Sequence, residues 1–394
     1  MAKSRSFWKV KRLVWFIVPT IVLVLLVVRF INNSKATDLQ TILQNLPTEI
    51  SQSINNANNK QQKDADIMSR LEELTEQLLA KQEEQSKEFE KERKALEKKI
   101  NDLKPVPDDL TLREKLAYNF PYDPKTRFPA FIWQMWNGKM DDIEVLLSKQ
   151  QWGDKNPGFV HEVFNDELMD AIVRHFYSRI PEVLEAYTVM PSRILKIDFF
   201  KYLILLARGG VYVDMDTFPV QPIPNWIPEA MEPSELGMIV GIEHDAPLNT
   251  DWKKYFVRRL QIGNWVIQAK PGHPTLREIV SQITELTLHR KEENSLRLNF
   301  RNDLTVMGWT GSGAWTDVIF TYFNDYIKSG LRSKTTWRDF HDIRRPKLLS
   351  DILVLPQFSF ASPQTIENDD PRKKYYFVVH AATRFWKGAP KVEQ

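Results

Sequence analysis

The stretch that decides the fold is "ARGGVYVDMDTFPVQP", residues 207–222. It follows a long, mostly apolar helical pattern, and one of its two glycines can provide the left-handed residue that ends a helix. The apolar run "VYVDMD" then predicts a strand that ends in Asp214 and Asp216. Because side chains alternate along a strand, both carboxylates are expected on one side of it.

Two carboxylates at the carboxyl end of a strand form a site of hard oxygen ligands, which suits Mg²⁺ or Mn²⁺ carrying phosphate oxygens. The alternative is a solvated strand end that runs into a turn, since Pro219, Pro222 and Pro224 follow closely. The preceding glycines and the apolar surroundings favour the metal site over a surface turn. The local pattern leaves both interpretations open.

The chain around this stretch alternates apolar strand-like runs with helical patterns from about residue 112. Alternation of this kind predicts an α/β domain with a mostly parallel sheet, in which ligands bind at the carboxyl ends of the strands. Helices are predicted at 166–177 and 192–208, and near 274–290 and 314–328. The other predicted strands are "AFIWQMW" (130–136), "FVHEVF" (159–164), "MIVGIE" (238–243), "NWVIQAK" (264–270), "DILVLP" (351–356) and "KYYFVVH" (374–380).

The N-terminus predicts a membrane anchor. Residues 1–12 carry five basic and no acidic side chains, and residues 13–31 are almost entirely apolar. A helix of roughly 19 residues spans about 28 Å, near the thickness of a thin bilayer. The basic flank predicts a cytosolic tail and a type II orientation, with the remainder of the chain in a lumen. A cleaved signal peptide is the alternative.

Residues 32–111 read as a lumenal stem. Within it, about 65–103 is strongly helix-forming and charged, and its apolar positions change heptad phase part-way along. A short imperfect coiled coil and a solvated single helix are both compatible with that pattern. The catalytic domain is then expected to occupy 112–394.

Composition and motifs exclude several classes of function. The 394 residues include no cysteine, so disulfides, thiolate zinc sites and thiol nucleophiles are excluded. A net charge of only +3, without a basic stripe beyond the N-terminus, argues against a nucleic-acid binder. The phosphate-loop, zinc-protease and serine-hydrolase motifs are also absent from the sequence.

An ordered set of motifs resembles glycosyltransferase family 32, and within it the fungal Golgi α-1,6-mannosyltransferases. The resemblance covers about residues 112–388 and includes the type II anchor layout. Within that group, the chain most resembles the homologue of the initiation-specific enzyme that belongs to mannan polymerase complexes. The matching stretches are "DFFKYLILLARGGVYVDMDT" (198–217), "FPAFIWQMW" (128–136), "KNPGFVHEVFND" (155–166), "GNWVIQAKPGHP" (263–274), "WTGSGAWTD" (309–317) and "HAATRFW" (380–386).

This resemblance implies a GT-A fold, in which a Rossmann-like sheet binds a nucleoside diphosphate sugar together with Mn²⁺, with Mg²⁺ as the alternative ion. The implied donor is GDP-mannose and the acceptor is a mannose of an N-glycan or mannan. An α-linked donor that gives an α-linked product implies retention of configuration. The implied location is the Golgi membrane.

The resemblance also assigns roles to individual residues. Asp214 and Asp216 match the D-x-D motif, and His380 matches a strand-end histidine that completes the metal shell. Asp198 and Lys201 match residues near the donor sugar, with an intrahelical ion pair as the structural alternative. The further donor-binding candidates are Trp133, Gln134, Gly210, Gly311, Ser312 and Trp386. For His380 and Trp133, ordinary packing is the alternative, and for the glycines at 311 and 313 the alternative is a tight connection.

Two other functions remain open at this point. A mainly structural subunit of a mannosyltransferase complex, held together by its stalk, would have a vestigial donor site. A relative with another substrate would act on inositol phosphoceramide or use UDP-galactose. The single anchor and the stalk favour the glycoprotein-directed branch.

Overall fold

The computed structural model describes residues 79–89, 91–92, 95, 107, 109–136, 138–139, 141–248, 250–299, 302–361 and 370–381. The predicted tail (1–12), the predicted anchor (13–31) and Trp386 lie outside these residues. Within them, no helix is both long enough and apolar enough to cross a membrane. The chain divides into two units, Met1–Leu103 and Lys104–Gln394. In the first, residues 79–89 are helical, and the rest of the predicted stalk (65–103) lies largely outside the described residues.

The second unit contains the α/β domain. Its helices are α1 (Leu112–Asn119), α2 (Ile143–Lys155), α3 (Asp166–Tyr177), α4 (Pro181–Val189), α5 (Arg193–Arg208), α6 (Pro274–Glu292), α7 (Asp303–Trp309), α8 (Ser312–Asn324) and α9 (Tyr326–Ser329). Its strands are β1 (Phe131–Met135), β2 (Val160–Phe164), β3 (Gly210–Val213), β4 (Thr217–Pro219), β5 (Met238–Asp245), β6 (Leu260–Ala269), β7 (Lys347–Leu349), β8 (Ile352–Leu355), β9 (Phe360–Ala361) and β10 (Val378–His380).

Seven of these strands form the central sheet, in the order β2-β1-β3-β6-β5-β8-β7. Strands β2, β1, β3, β5 and β8 point the same way, whereas β6 and β7 run antiparallel to their neighbours. The prediction of a mostly parallel sheet is therefore confirmed. The carboxyl ends of β1, β3 and β5 lie at one edge of the sheet. Because β6 runs in the opposite direction, its first residues lie at the same edge.

Alternating side chains of the strands enter two separate hydrophobic clusters, one on each face of the sheet. Trp133 and Tyr212 belong to one cluster, and Ile132 and Val211 belong to the other. A strand covered on both faces is apolar at every position, which explains the continuous apolar runs in the sequence. Helix α5 packs on one face and is buried along most of its length.

The glycine pair joins α5 directly to β3, as predicted. Gly209 ends the helix with φ 62° and donates its N–H to Leu205 O at 2.8 Å. Gly210 has φ 97°, and a Cβ there would lie 2.9 Å from the carbonyl oxygen of Phe131 on the neighbouring strand. Both positions require a residue without a side chain.

The predicted strand "VYVDMD" is too long, because β3 ends at Val213. Asp214 and Asp216 lie in the turn that follows, so side-chain alternation along a strand is the wrong reason to place them together. A second small sheet begins immediately afterwards, in the order β4-β10-β9. Its antiparallel register pairs Thr217 with His380.

Candidate active site

The turn after β3 is closed by hydrogen bonds to Asp214. The carbonyl oxygen of Asp214 accepts from Thr217 N at 3.1 Å and from Thr217 Oγ1 at 2.6 Å. Its own N–H donates to the carbonyl oxygen of Trp265 on β6 at 2.8 Å. This tight turn brings Asp216 back beside Asp214.

The C-terminal strand adds His380 to the two aspartates. Backbone N–H of Ala381 donates to Asp216 O at 2.9 Å, and His380 Nε2 lies 3.4 Å from Asp216 Oδ1. The imidazole stacks on Trp265, with 4.5 Å between ring centroids. His380 is therefore packed at the end of a strand, and it also lies next to the two aspartates.

The cluster has the composition of a divalent-cation site. One ligand atom from each of Asp214, Asp216 and His380 lies within 4.8 Å of the other two. Carboxylate oxygens are the ligands that Mg²⁺ and Mn²⁺ prefer, and imidazole is better suited to a transition metal than to Mg²⁺. The residues present therefore fit Mn²⁺, and three ligands leave coordination positions for phosphate and water.

Helix α5 contributes a buried charge network next to this cluster. Lys201 Nζ lies 3.0 Å from Asp198 Oδ1, one helical turn away, and 3.3 Å from Asp214 Oδ1. Asp198 also accepts hydrogen bonds from Asn264 Nδ2 at 3.2 Å and from Thr310 Oγ1 at 3.1 Å. The intrahelical ion pair is present, and both of its members also line the cleft.

Burial and mutual charge shift the pKa values in this network. Burial alone would lower the pKa of Lys201, but the carboxylates of Asp214 and Asp198 outweigh it and raise the pKa above its ordinary value. Burial raises the pKa of Asp214, and the nearby Asp216 adds to the rise while Lys201 opposes it. A bound cation would favour the ionised form of Asp214.

These groups line a cleft of about 1320 Å³. It runs across the sheet edge formed by the ends of β1, β3 and β5, which is where an open α/β sheet binds its ligands. Glu243, at the end of β5, lines it as well. Burial raises the pKa of the Glu243 carboxyl, and hydrogen bonds from Ser312 and Gln261 partly offset that rise.

Three of the predicted donor-binding residues do not line the cleft. Trp133 is buried in the core, where its Nε1 donates to Gly209 O at 2.7 Å. The amide of Gln134 is fully buried and bonds to Ser148 and His161. Gly210 allows the close approach of β3 to β1. For Trp133 the alternative of ordinary packing is therefore the one observed.

The residues next along β1, Met135 and Trp136, border the cleft instead. Gly311 and Ser312 line it too, at the junction of α7 and α8. A Cβ on Gly311 would lie 2.9 Å from Met307 Cα, so this segment is also a tight connection.

Sequence reasoning missed Glu243, Asn264 and Gln261. Glu243 had a detectable signal, because it is a carboxylate at the end of an apolar strand, as Asp214 is. No local sequence signal marks Asn264 or Gln261, because the residues they bind are distant in the chain. Asp198 on α5 is 66 residues from Asn264, and Ser312 on α8 is 51 residues from Gln261.

A glycosyltransferase family model matches the part of the chain that contains the two aspartates. Residues 142–232 match the family model "Glycosyltransferase sugar-binding region containing DXD motif". The match includes Asp198, Asp214 and Asp216. Among solved structures, the glycosyltransferase PaToxG is similar with a TM-score of 0.35 and 13% identity, covering 53% of this chain and 75% of its own.

Curated relatives extend over much more of the chain. HOC1 of Saccharomyces cerevisiae, whose own naming as a glycosyltransferase is provisional, is 57% identical over 98% of this chain and 97% of its own. The initiation-specific α-1,6-mannosyltransferase of Candida albicans is 39% identical over 73% of this chain and 80% of its own. The chain therefore belongs to glycosyltransferase family 32, in its branch of fungal mannosyltransferases.

Proposed function

We propose that the protein is a metal-dependent, retaining α-1,6-mannosyltransferase that moves mannose from GDP-mannose to a mannose of an N-glycan or mannan. The observation that carries this proposal is the meeting of Asp214, Asp216 and His380 within 4.8 Å at the edge of a large cleft. A nucleoside diphosphate needs such a cation site, and a sugar needs the polar groups beside it. The names of the relatives support mannose as the sugar.

Each residue of the cluster has a distinct part in this proposal. Asp214, Asp216 and His380 hold the cation, which when bound supplies positive charge that stabilises the departing diphosphate. The ammonium of Lys201 is held in place by Asp198 and Asp214, and it adds positive charge near the same oxygens. Asp198 accepts hydrogen bonds from hydroxyl groups of the donor.

The transfer breaks the bond between the anomeric carbon and the diphosphate oxygen, forms a bond to the acceptor hydroxyl oxygen, and releases GDP and a proton. Retention follows if donor and product are both α-linked. We assign no nucleophile.

As further parts of the proposal, residues 13–31 anchor the chain in the Golgi membrane, the domain faces the lumen, and the stalk joins the protein to a mannosyltransferase complex.

The test is an assay of the purified full-length chain with GDP-mannose, Mn²⁺ and a set of α-mannosides. We expect mannose transfer with an α-1,6 product, identified by NMR of the new linkage, and loss of transfer when EDTA removes the metal. Absence of both transfer and Mn²⁺-dependent GDP binding would contradict the proposal. GDP binding without any transfer would support a structural subunit instead.

A further inference from the structure

A row of polar contacts, part of it buried beneath the cleft wall, leads away from the cluster of Asp214, Asp216 and His380. Each contact is a hydrogen bond or an ion pair of 2.8 to 3.3 Å, apart from one covalent step from residue 310 to 312. In order, the row consists of Asp214, Lys201, Asp198, Thr310, Ser312, Gln261 and Glu243. If the diphosphate lies at the metal cluster and the donor sugar lies over Lys201 and Asp198, Glu243 lies beyond the sugar.

Glu243 differs from the other carboxylates of this row in its partners. Asp198 and Asp214 are both paired with Lys201, and Asp216 lies beside His380. Within the described part of the chain, Glu243 has no ion pair, and its hydrogen bonds come from the neutral groups of Gln261 and Ser312. A carboxylate without a cation, at the wall of an open cleft, keeps its capacity to accept hydrogen bonds from a ligand.

Gln261 fixes that carboxylate in place. Its Oε1 accepts the backbone N–H groups of Val257 and Arg258, both at 3.2 Å. Its Nε2 can therefore only face the other way, where it donates to Glu243 Oε2 at 2.9 Å and to Ser312 Oγ at 2.8 Å. One fully buried amide thus ties the carboxylate to the loop that precedes β6.

This loop adds an aromatic wall to the same part of the cleft. Tyr255 lines the cleft with 62% of its surface exposed. Phe256 lines it too and stacks on His244, with 3.8 Å between ring centroids and an angle of 5°. An exposed tyrosine presents a rigid apolar face with a polar tip, which suits a pyranose with its C–H groups on one side and hydroxyls around its rim.

We propose that Glu243 and Tyr255 form the acceptor subsite, which binds the terminal residue of a neutral saccharide. Glu243 accepts hydrogen bonds from the saccharide hydroxyls, and the ring of Tyr255 packs against a sugar face. At Glu243 itself a neutral hydroxyl is favoured over a phosphate, because an anion there would meet a carboxylate that has no ion pair. This inference rests on the proposed function, since it places the acceptor relative to the donor.

The experiment compares Glu243→Gln and Tyr255→Ala with the unmodified full-length chain, using GDP-mannose, Mn²⁺ and α-1,6-mannobiose. Loss of a hydrogen bond to a charged group predicts a KM for mannobiose that is higher by about tenfold or more. Affinity for GDP with Mn²⁺, measured by calorimetry, should change by less than about twofold, which also reports that the variants are folded. Tyr255→Phe keeps the ring and should restore a KM near that of the unmodified chain.

Matched controls lie outside the cleft lining. Glu162→Gln changes an exposed strand glutamate on β2, and Tyr326→Ala removes an exposed tyrosine on α9. Both should leave the KM for mannobiose unchanged. An unaltered KM in Glu243→Gln and Tyr255→Ala, or a preference of the unmodified chain for an inositol-phosphate acceptor over mannobiose, would overturn the acceptor subsite while leaving the transferase function in place.

Direct binding separates the two proposals further. Saturation-transfer NMR of mannobiose with the GDP–Mn²⁺ complex should give a signal for the unmodified chain and lose it in Tyr255→Ala. Mannobiose binding that depends on Tyr255, without any sugar transfer, would support the subsite and contradict the transferase. Mannobiose binding that persists in both Glu243→Gln and Tyr255→Ala would contradict the acceptor subsite.

Discussion

At the scale of single residues, Lys201 shows how strongly the site depends on pairing. Its ammonium is almost fully buried and is shared by Asp198 and Asp214, one from its own helix and one from the turn after β3. Removal of one partner from a buried ion pair leaves an uncompensated charge, which costs about 3 to 5 kcal/mol. Removal of Asp198 or Asp214 alone would therefore destabilise the fold, apart from any effect on the proposed donor site.

We expect Asp216→Ala to weaken Mn²⁺-dependent GDP binding by at least about 100-fold, because the cation loses a carboxylate ligand. Titration calorimetry with GDP at fixed Mn²⁺ measures this change. The free energy of unfolding without metal should change by no more than about 1 kcal/mol, since the neighbouring Asp214 loses a like-charged neighbour.

Asp251→Ala is the matched control for this substitution, because Asp251 is an exposed aspartate that does not line the cleft. It should bind GDP as the unmodified chain does. If Asp216→Ala unfolds the domain, the aspartate pair is structural and the proposed cation site loses its support.

A second residue-scale prediction concerns Asp351, which lies on the β7–β8 turn. Its carboxylate accepts hydrogen bonds from Tyr122 at 2.6 Å and Tyr322 at 2.7 Å, and His273 Nε2 lies 3.3 Å away. Although burial opposes the change, the bonds from His273, Tyr122 and Tyr322 lower the pKa of Asp351 well below its ordinary value of 3.8.

A lowered pKa means that ionised Asp351 stabilises the folded state. This contribution is complete above pH 3.8, declines as the pH falls below that value, and is lost once the pH is below the pKa in the folded state. Asp351→Asn should therefore destabilise the domain by about 2 kcal/mol at pH 7. Urea unfolding at pH 7 and at pH 3 measures the difference between the two chains, which should shrink at the lower pH. An equal difference at both values would contradict the pKa assignment.

Individual residues also show what the sequence could and could not predict. The helix end at Gly209 was predictable because its neighbours along the chain decide its conformation, whereas the turn that brings Asp214 and Asp216 together differs from the predicted strand. The family resemblance predicts Trp133 in the donor site, but its position on β1 directs its side chain into the core. Gln261 and Asn264 were unpredictable, since their partners are distant in sequence and come close only in the folded sheet.

At the scale of elements, the junction of α5 and β3 sets the position of the site. Helix and strand follow each other with no intervening loop, so Asp198 and Lys201 on the helix return close to Asp214 after the strand. Long apolar runs predicted α5, β5 and β6, because these elements are buried along most of their length and are apolar at most positions. The short strands β4, β7 and β9 were missed, since two or three residues carry no period.

We expect Gly210→Ala to destabilise the domain by about 2 kcal/mol or more, because alanine is strained at positive φ and its Cβ would be 2.9 Å from Phe131 O. Thermal unfolding measures the effect. Gly153→Ala is the matched control: it lies within α2, and no atom is within 4 Å of an added Cβ. That substitution should stabilise the domain by about 0.5 to 1 kcal/mol. Similar effects of the two substitutions would contradict this account.

At the scale of the whole molecule, the second unit has its own core and its own N-terminal helix. Helix α1 is held by Arg113, which binds Glu278 at 2.8 Å and Glu285 at 2.6 Å on α6. Leu116 is fully buried beneath it. These contacts tie α1 to the rest of the second unit.

A chain that begins at Lys104 should therefore fold and bind GDP with Mn²⁺ as the full-length chain does. A chain that begins at Lys125 loses α1 and the bond from Tyr122 to Asp351, and should be less stable by about 3 kcal/mol or more. Circular dichroism during thermal unfolding compares the two truncations. Equal stability would mean that the contacts of α1 contribute nothing to the domain.

The pairing of β4 with β10 has a consequence for biosynthesis. Asp216 and His380 are separated by more than 160 residues, and the register of one short antiparallel pair joins them. In a chain emerging from the ribosome, the imidazole of His380 follows the two aspartates and every strand of the central sheet. The cluster of Asp214, Asp216 and His380 can therefore assemble only after the whole central sheet has been synthesised.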